Sequence, residues 1–245
     1  SLERVTLCNQ LGKYNKAKAL LAARRFHPWE GGEGKVVGQY LICHLELAKQ
    51  ALEANENEKA LQLLAAAEHY PENLGEGKLP GAQENDIHYL KGLAYEQMGD
   101  EATAEQYFLA ATKGGSEPVQ AIFYNDQQPD KIFYQGLAWI KLGHREKACT
   151  IFQRLINFGR EHMHDQVTID YFAVSLPDLL VFDVDLSFRN RLHCLYLIAL
   201  GELGLNEKNP TVIKASFDDV LKLDCNHQGA LVHKKMVSFL APMVS

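Results

Sequence analysis

A repeat of 43 to 44 residues is the feature that most constrains how this chain folds. The segment HPWEGGEGK at residues 27–35 returns as YPENLGEGK at residues 70–78, 43 positions later. A constant period of this size is typical of stacked units that cannot bury their apolar faces alone. Four alanines in similar contexts continue the spacing, at steps of 43, 44 and 44 residues: Ala17, Ala60, Ala104 and Ala148.

Each unit has the pattern of two helices joined by a tight turn. In the third unit, Ile87, Leu90 and Ala94 follow the spacing of a helix with one buried stripe. Gly99-Asp100 then ends that helix and can cap the next one. Residues 131–156 repeat the arrangement. The pattern predicts an all-α fold of about five antiparallel helix pairs and a final capping helix.

These units resemble the tetratricopeptide repeat (TPR) family. That resemblance implies a TPR-like α-solenoid, in which antiparallel helix pairs form a right-handed superhelix. The family's period is nearer 34, so this chain adds about ten residues per unit, and the additions lie in long loops. The residues that carry the resemblance are Gly92, Ala94, Tyr95, Gly99, Ala104, Phe108 and Ala111, with their counterparts Gly136, Ala138, Trp139, Gly143, Ala148, Phe152 and Leu155.

We expect one continuous array over residues 1–245, as a fragment of a longer protein. The expected units span about residues 1–34, 35–80, 81–116 and 117–162, followed by an insertion at 163–186, a divergent unit at 187–225 and a cap at 226–240.

A second resemblance covers almost the whole chain. The two GEGK loops, the YND-x-x-P stretch at residues 124–129 and the segment DYFAVSLPDLLVFDVDL at residues 170–186 are similar to the C-terminal helical region of long bacterial proteins. Those proteins carry an uncharacterised, carbohydrate-enzyme-like N-terminal part. The resemblance implies a scaffold module linked to carbohydrate metabolism, and it supplies no reaction.

Composition narrows the classes of partner and compartment. The net charge is −6, without a long block of Lys and Arg, which argues against nucleic acid or an anionic membrane as the partner. No apolar run is long enough to cross a bilayer. The five cysteines are dispersed without a C-x-x-C pair, which favours a reduced, cytoplasmic protein over a disulfide framework or zinc site.

The two glycine-rich loops are the main candidate binding site. They do not match a P-loop, because neither has a glycine five positions before its Gly-Lys pair, and an aliphatic residue follows each lysine. Glycine N–H groups, lysines and a tryptophan could still bind an anion or a sugar. Alternatively, the loops are shaped connectors, with glutamates that cap the next helix and solvated lysines. The candidate residues are Trp29, Glu30, Glu33, Lys35, Glu72, Asn73, Glu76 and Lys78, with Asn125 and Asp126 from the third loop.

Residues 157–186 interrupt the period and are rich in His and Asp. A metal could use His162, His164 and a carboxylate, but two residues of a helix that are two apart point to different sides. A pair of carboxylates for glycoside hydrolysis could come from Asp170, Asp178, Asp183 and Asp185. However, the spacing of these aspartates does not favour any particular pair. We therefore predict no catalytic residue, no metal site and no cofactor, and an insertion that packs against the array or another domain.

A peptide groove is a further alternative. The lysine and asparagine pair by which chaperone-type repeats hold a C-terminal carboxylate is missing at the corresponding positions, including Leu45/Lys49. An aromatic groove through Tyr89, Phe133 and Tyr134 competes with the simpler interpretation that these rings are core.

Together these features predict a non-catalytic protein-interaction scaffold. Its partner would be another part of its own longer chain or a separate protein. The main alternative is a helical domain that contributes its loops directly to a carbohydrate-binding or glycosyl-transfer site. Whether the longer protein is an enzyme stays open. We expect that this chain alone does not catalyse a reaction.

Overall fold

The computed structural model describes residues 2–29, 32–120, 126–166 and 185–240. These residues form helices joined by turns and loops, and no strand occurs among them. The all-α, TPR-like fold class predicted from the repeat is therefore confirmed. The chain divides into two compact units, Ser1–Lys113 and Gly114–Ser245.

The first unit contains three consecutive helix pairs, α1/α2, α3/α4 and α5/α6. A short 3-10 helix at Glu72–Leu74 lies in the connection that follows α4. The helices are α1 (Leu2–Gln10), α2 (Tyr14–Ala22), α3 (Lys35–Glu53), α4 (Asn57–Ala67), α5 (Asn85–Gln97) and α6 (Glu101–Ala111).

The second unit contains two helix pairs, α7/α8 and α9/α10, followed by a single helix. Most of the sequence between α8 and α9, residues 167–184, lies outside the described residues. The helices are α7 (Pro129–Lys141), α8 (Arg145–His162), α9 (Leu186–Leu205), α10 (Pro210–Leu223) and α11 (Gln228–Leu240).

The turn inside each of the first four helix pairs is built in the same way. Its turn residue is Gly12, Asn55, Gly99 or Gly143, and each has a left-handed backbone with φ between 58° and 79°. In the first pair, the Lys13 amide donates to the Cys8 carbonyl at 2.7 Å, which is the hydrogen bond of a Schellman motif. Asparagine tolerates this conformation better than other residues with a Cβ, so the Asn55 turn keeps the geometry of the glycine turns.

Small residues set the spacing between the paired helices. The four repeat alanines are buried. At Gly92, an added Cβ would lie 2.5 Å from the Phe108 ring of the paired helix, and Gly136 is covered by the Phe152 ring in the same way. Because the ring occupies the space that a side chain would need, the two helices approach closely and bury the aromatic residue.

Candidate functional site

The two GEGK loops lie against one another in the first unit. We name them loop 1 (residues 23–34) and loop 2 (residues 68–84). The Phe26 amide of loop 1 donates to the Asn73 carbonyl of loop 2 at 2.7 Å. The Asn73 side-chain amide donates to the carbonyls of Leu21 at 2.9 Å and Arg24 at 2.7 Å, which lie at the C-terminal end of α2. Asn73 therefore satisfies one carbonyl in the last turn of α2 and one just beyond the end of that helix.

A second set of contacts joins the glycines of the two loops. The Gly34 amide donates to the Glu76 carboxylate at 2.7 Å, directly before α3 begins. A negative charge at this end of α3 also complements the helix dipole. Gly75 adopts φ +82°, and a Cβ there would lie 2.7 Å from the Phe26 carbonyl oxygen. Glycine is thus required at Gly75 both by its backbone conformation and by the close approach of loop 1.

Lys78 connects loop 2 to the neighbouring helices. Its ammonium group lies 2.5 Å from the Glu84 carboxylate and donates to the Glu68 carbonyl at 3.2 Å. The Glu68 carboxylate in turn pairs with Lys91 of α5 at 2.6 Å. Lys78 is thus exposed, as the connector interpretation expected, and its ammonium group also binds groups of its own unit.

The two loops share a sequence but differ in conformation. Gly34 of loop 1 is left-handed, whereas its counterpart Gly77 in loop 2 is not, and the left-handed glycines of loop 2 are Gly75 and Gly81. After loop 1, the helix α3 starts at Lys35, the last residue of the motif, whereas after loop 2 the helix α5 starts only at Asn85. The connector interpretation expected Glu76 to cap the next helix, α5. Instead, Glu76 caps the earlier helix α3. Only loop 2 continues for six further residues, 79–84, between its GEGK lysine and the next helix.

A cleft of about 430 Å³ opens where the loops meet. Trp29 follows Pro28 of the cleft lining in sequence and is 44% exposed, and its indole covers Gly32, where a Cβ would clash with the ring. The cleft has aromatic, acidic and basic groups and is lined by Arg25, Phe26, His27, Pro28, Tyr70, Glu72, Gly75, Glu76 and Gly77.

The structure brings most of the predicted candidates into this loop pair. Glu33, Lys35 and Glu72 are exposed on it, and Lys35 also contacts another group. Asp126 belongs to the second unit, where its carbonyl accepts from the Gln128 side chain at 2.9 Å. Glu30 and Asn125 lie outside the described residues.

Sequence reasoning missed the residues that line the cleft from loop 1. Arg25, Phe26 and His27 directly precede the repeated proline, and Tyr70 holds the place of His27 in loop 2. The clue was the repeat itself, because stacked units place equivalent loops side by side. The repeat therefore predicts that the two loops are neighbours, but it does not predict which residues contact one another.

The His- and Asp-rich segment contributes local structure where it is described. His162 Nδ1 and the Asp165 carboxylate are 2.6 Å apart. Asp185 caps α9 by accepting from the amides of Ser187 and Phe188. Within the described ranges, no group of three potential metal-ligating side chains occurs. Asp170, Asp178 and Asp183 lie outside these ranges.

The residues considered for a peptide groove are buried. Tyr89, Phe133 and Tyr134 are at most 2% exposed, which confirms that these rings are core. Lys49 is also buried and pairs with Glu46 at 2.7 Å. An aromatic peptide groove through these three rings is therefore wrong, because their surfaces are covered within the fold.

Comparison with known families matches two of the helix pairs. The fold described above defines a helical-repeat protein. Tetratricopeptide repeat models match residues 86–113, which cover α5 and α6, and residues 132–157, which cover most of α7 and α8. These matches support the tetratricopeptide repeat family, with one matched pair in each unit. No solved structure matches the chain. In the part of the chain that is described, no helix has the length and apolar character to cross a membrane.

Proposed function

We propose that this chain is a protein-interaction scaffold that presents the paired loops 1 and 2 as its docking surface. Tetratricopeptide repeats generally mediate protein–protein interactions. The observation that carries the proposal is the mutual fixing of the loops by Asn73 and Glu76, which holds an open cleft in one shape. A surface that is already ordered loses less conformational entropy on binding.

The same observation favours a protein partner over a small ligand. Asn73, Glu76 and Lys78 were candidates for ligand contacts, and all three are engaged by groups of their own unit. The exposed groups of the two loops include large apolar side chains that lie apart in sequence. Trp29 is 44% exposed and Leu79 is 50% exposed. Exposed aromatic and aliphatic anchors with nearby charges are typical of protein interfaces.

Site-specific photo-crosslinking in the native host tests this proposal. A photoreactive phenylalanine analogue at Trp29 and, separately, at Glu72 should capture the same protein. Arg25→Glu, which reverses a charge in the cleft lining, should abolish both products. The matched control is Glu105, which is exposed on α6 of the same unit. Equal capture from Glu105, or unrelated products from the two loop positions, would show that the loops are not the docking surface.

Carbohydrate binding by the same cleft is the second candidate. Phe26, His27 and Tyr70 offer rings for sugar stacking, and Glu72 offers an exposed carboxylate. A glycan-array measurement on the intact chain and on Tyr70→Ala separates the two candidates. Glycan binding that Tyr70→Ala abolishes would replace the protein-docking proposal, whereas the absence of glycan binding would leave the protein partner.

We further propose that the chain acts in the cytoplasm as the C-terminal module of a larger bacterial protein linked to carbohydrate metabolism. The resemblance of the loop motifs and of residues 170–186 to such proteins supports this assignment. An antibody raised against the chain should detect a band several times its 27.5 kDa in an extract of the source cells. A band at the size of the chain itself would show that the protein is a free-standing adaptor and not a module of a larger protein.

A further inference from the structure

Positive charge is concentrated at the start of the chain. Residues 1–29 carry a net charge of +5, from six Lys or Arg and one Glu, although the whole chain carries −6. Residues 30–113, the rest of the first unit, carry −9, from six Lys and fifteen Asp or Glu. The six basic residues of the first segment are all exposed: Arg4, Lys13, Lys16, Lys18, Arg24 and Arg25.

Four of these residues follow the second helix of the first pair. Lys13, Lys16 and Arg24, with Leu20 between the last two, are spaced by three, four and four positions, which places them along one side of α2 and its ends. Arg25 comes next and lines the cleft between the loops. At about 1.5 Å per residue, the distance from Lys13 to Arg24 is about 17 Å. We call Lys13, Lys16, Arg24 and Arg25 the basic face.

The two lysines of the basic face oppose the electrostatic preference of their own helix. Lys13 is the N-cap of α2, and Lys16 lies in its first turn. The N-terminal end of a helix carries a partial positive charge, so lysine destabilises it there, whereas Asp or Glu would stabilise it. The two lysines also repel one another, because residues three positions apart are neighbours on a helix. Folding of the unit therefore does not explain these charges.

No ion pair in the described part of the chain offsets the charges of the basic face. Elsewhere in the same unit, Lys49, Lys78 and Lys91 each pair with a glutamate at 2.5 to 2.7 Å. The Arg24 carbonyl accepts from the Asn73 side chain at 2.7 Å, so the contact between the loops fixes the backbone of an exposed residue. The basic face is thus held in position and is open to an external anion.

We infer that the basic face binds an acidic segment of the partner protein that docks on loops 1 and 2. This inference rests on the proposed docking function and adds the chemistry of the partner. An extended segment advances about 3.3 Å per residue, so about five residues cover the face. Opposite charges at the edge of an interface accelerate association and fix the orientation of the partner.

The acidic surroundings favour a short protein segment over a nucleic acid. Exposed carboxylates lie around the next two turns of the unit, with Glu53 and Glu58 at the α3/α4 turn and Asp100 and Glu101 at the α5/α6 turn. A nucleic acid strand carries a negative charge on every nucleotide, so a strand longer than the basic face would meet repelling surface. An acidic segment can end where the face ends and continue with apolar residues that contact the exposed Trp29.

Binding of a fluorescein-labelled hexa-aspartate peptide to the intact chain, measured by fluorescence anisotropy, tests the basic face. The double variant Lys13→Glu and Lys16→Glu reverses two charges outside the loops and should fold, because acidic side chains suit a helix N-terminus. Its affinity for the peptide should be about tenfold or more lower than that of the original chain. For the original chain, raising NaCl from about 0.05 M to about 0.5 M should have a similar effect.

The matched control is the double variant Lys59→Glu and Lys222→Glu. It changes the net charge by the same amount at exposed residues away from the basic face. Its affinity for hexa-aspartate should stay within about twofold of the original. An equal loss in both double variants, no effect of salt, or no binding to the original chain would overturn the inference.

The photo-crosslinking assay at Trp29 separates this inference from the proposed function. Loss of the crosslinked protein in the Lys13→Glu and Lys16→Glu variant would support an acidic partner. An unchanged product would mean that the loops dock a partner of other chemistry and would overturn this inference alone. Absence of any product from the original chain would refute the docking loops, and the hexa-aspartate measurement would then decide the basic face.

Two other occupants of the basic face have distinct outcomes. Tighter binding of a six-nucleotide oligothymidylate than of hexa-aspartate would assign the face to nucleic acid. Self-association of the chain at low salt in gel filtration, abolished by Lys13→Glu and Lys16→Glu, would assign the face to the acidic turns of a second copy. Either result would overturn the inference, and we expect neither.

Discussion

Glu33 and Glu76 hold the same place in the repeated sequence but have different surroundings. The Glu76 carboxylate accepts from the Gly34 amide at the start of α3, whereas the Glu33 side chain is exposed to solvent. At the scale of single residues, an identical motif therefore does not give an identical contact. The partner of Glu76 is 42 residues away in sequence, and only the packing of loop 2 on loop 1 brings the two groups together.

The pair of glutamates provides a matched test of this contact. Glu76→Gln removes the charge that faces the N-terminal end of α3, and we expect a loss of about 1 kcal/mol in the free energy of unfolding. Glu33→Gln makes the same chemical change without affecting that end and should alter stability by less than about 0.5 kcal/mol. Urea unfolding of the two variants measures the difference. Equal effects would mean that the negative charge of Glu76 at the start of α3 does not stabilise the loop pair.

Asn73 gives a second prediction at this scale. Asn73→Ala removes both side-chain hydrogen bonds to the Leu21 and Arg24 carbonyls and should destabilise the chain by about 1 to 3 kcal/mol. Glu72→Ala changes the adjacent exposed residue and serves as the control. Thermal unfolding should show a clearly lower midpoint for Asn73→Ala than for Glu72→Ala. Similar midpoints would show that water replaces the lost side chain at no cost.

At the scale of elements, the sequence predicted the helix pairs well because their signals are local. Alanine spacing, turn glycines and apolar stripes each act within a few residues, and Asn55 could be placed in a turn by comparison with Gly99. The loops were harder to predict because their contacts are long-range. Asn73 was a candidate ligand-binding residue from its sequence context, yet its side-chain amide binds backbone carbonyls 49 and 52 positions earlier.

Two helical glycines should respond in opposite directions to the same substitution. Gly92→Ala places a methyl group 2.5 Å from the Phe108 ring and should destabilise the chain by about 1 to 3 kcal/mol, because α5 and α6 must separate. Gly38→Ala in α3 meets no atom within 4 Å and should stabilise it by about 0.5 to 1 kcal/mol, because alanine favours helix. Chemical denaturation measures both changes. A destabilising effect at Gly38 as large as that at Gly92 would contradict the steric explanation.

At the scale of the whole molecule, both units contain buried or partly buried histidines whose charge depends on pH. Burial lowers the pKa of His44 and His88 in the first unit and of His227 in the second. The strongest effect is at His193, where burial, with smaller contributions from His227 and Arg189, lowers the pKa to about 4. His193 Nε2 lies 2.8 Å from the Val119 carbonyl, a contact that favours the protonated ring but does not offset burial.

These shifts fix the direction of the pH dependence. An exposed histidine in the unfolded chain titrates near 6.5, so between about pH 6.5 and 4 the unfolded state binds more protons than the folded state. The contribution of His193 to stability is therefore complete above about pH 6.5, falls as the pH drops, and stops changing below about pH 4. The midpoint of urea unfolding should decrease over this range. His193→Gln removes the titrating ring, keeps a donor for the Val119 carbonyl and should make the decrease less steep. A midpoint that stays constant or rises on acidification, or an unchanged slope in His193→Gln, would show that a group other than His193 governs the pH dependence.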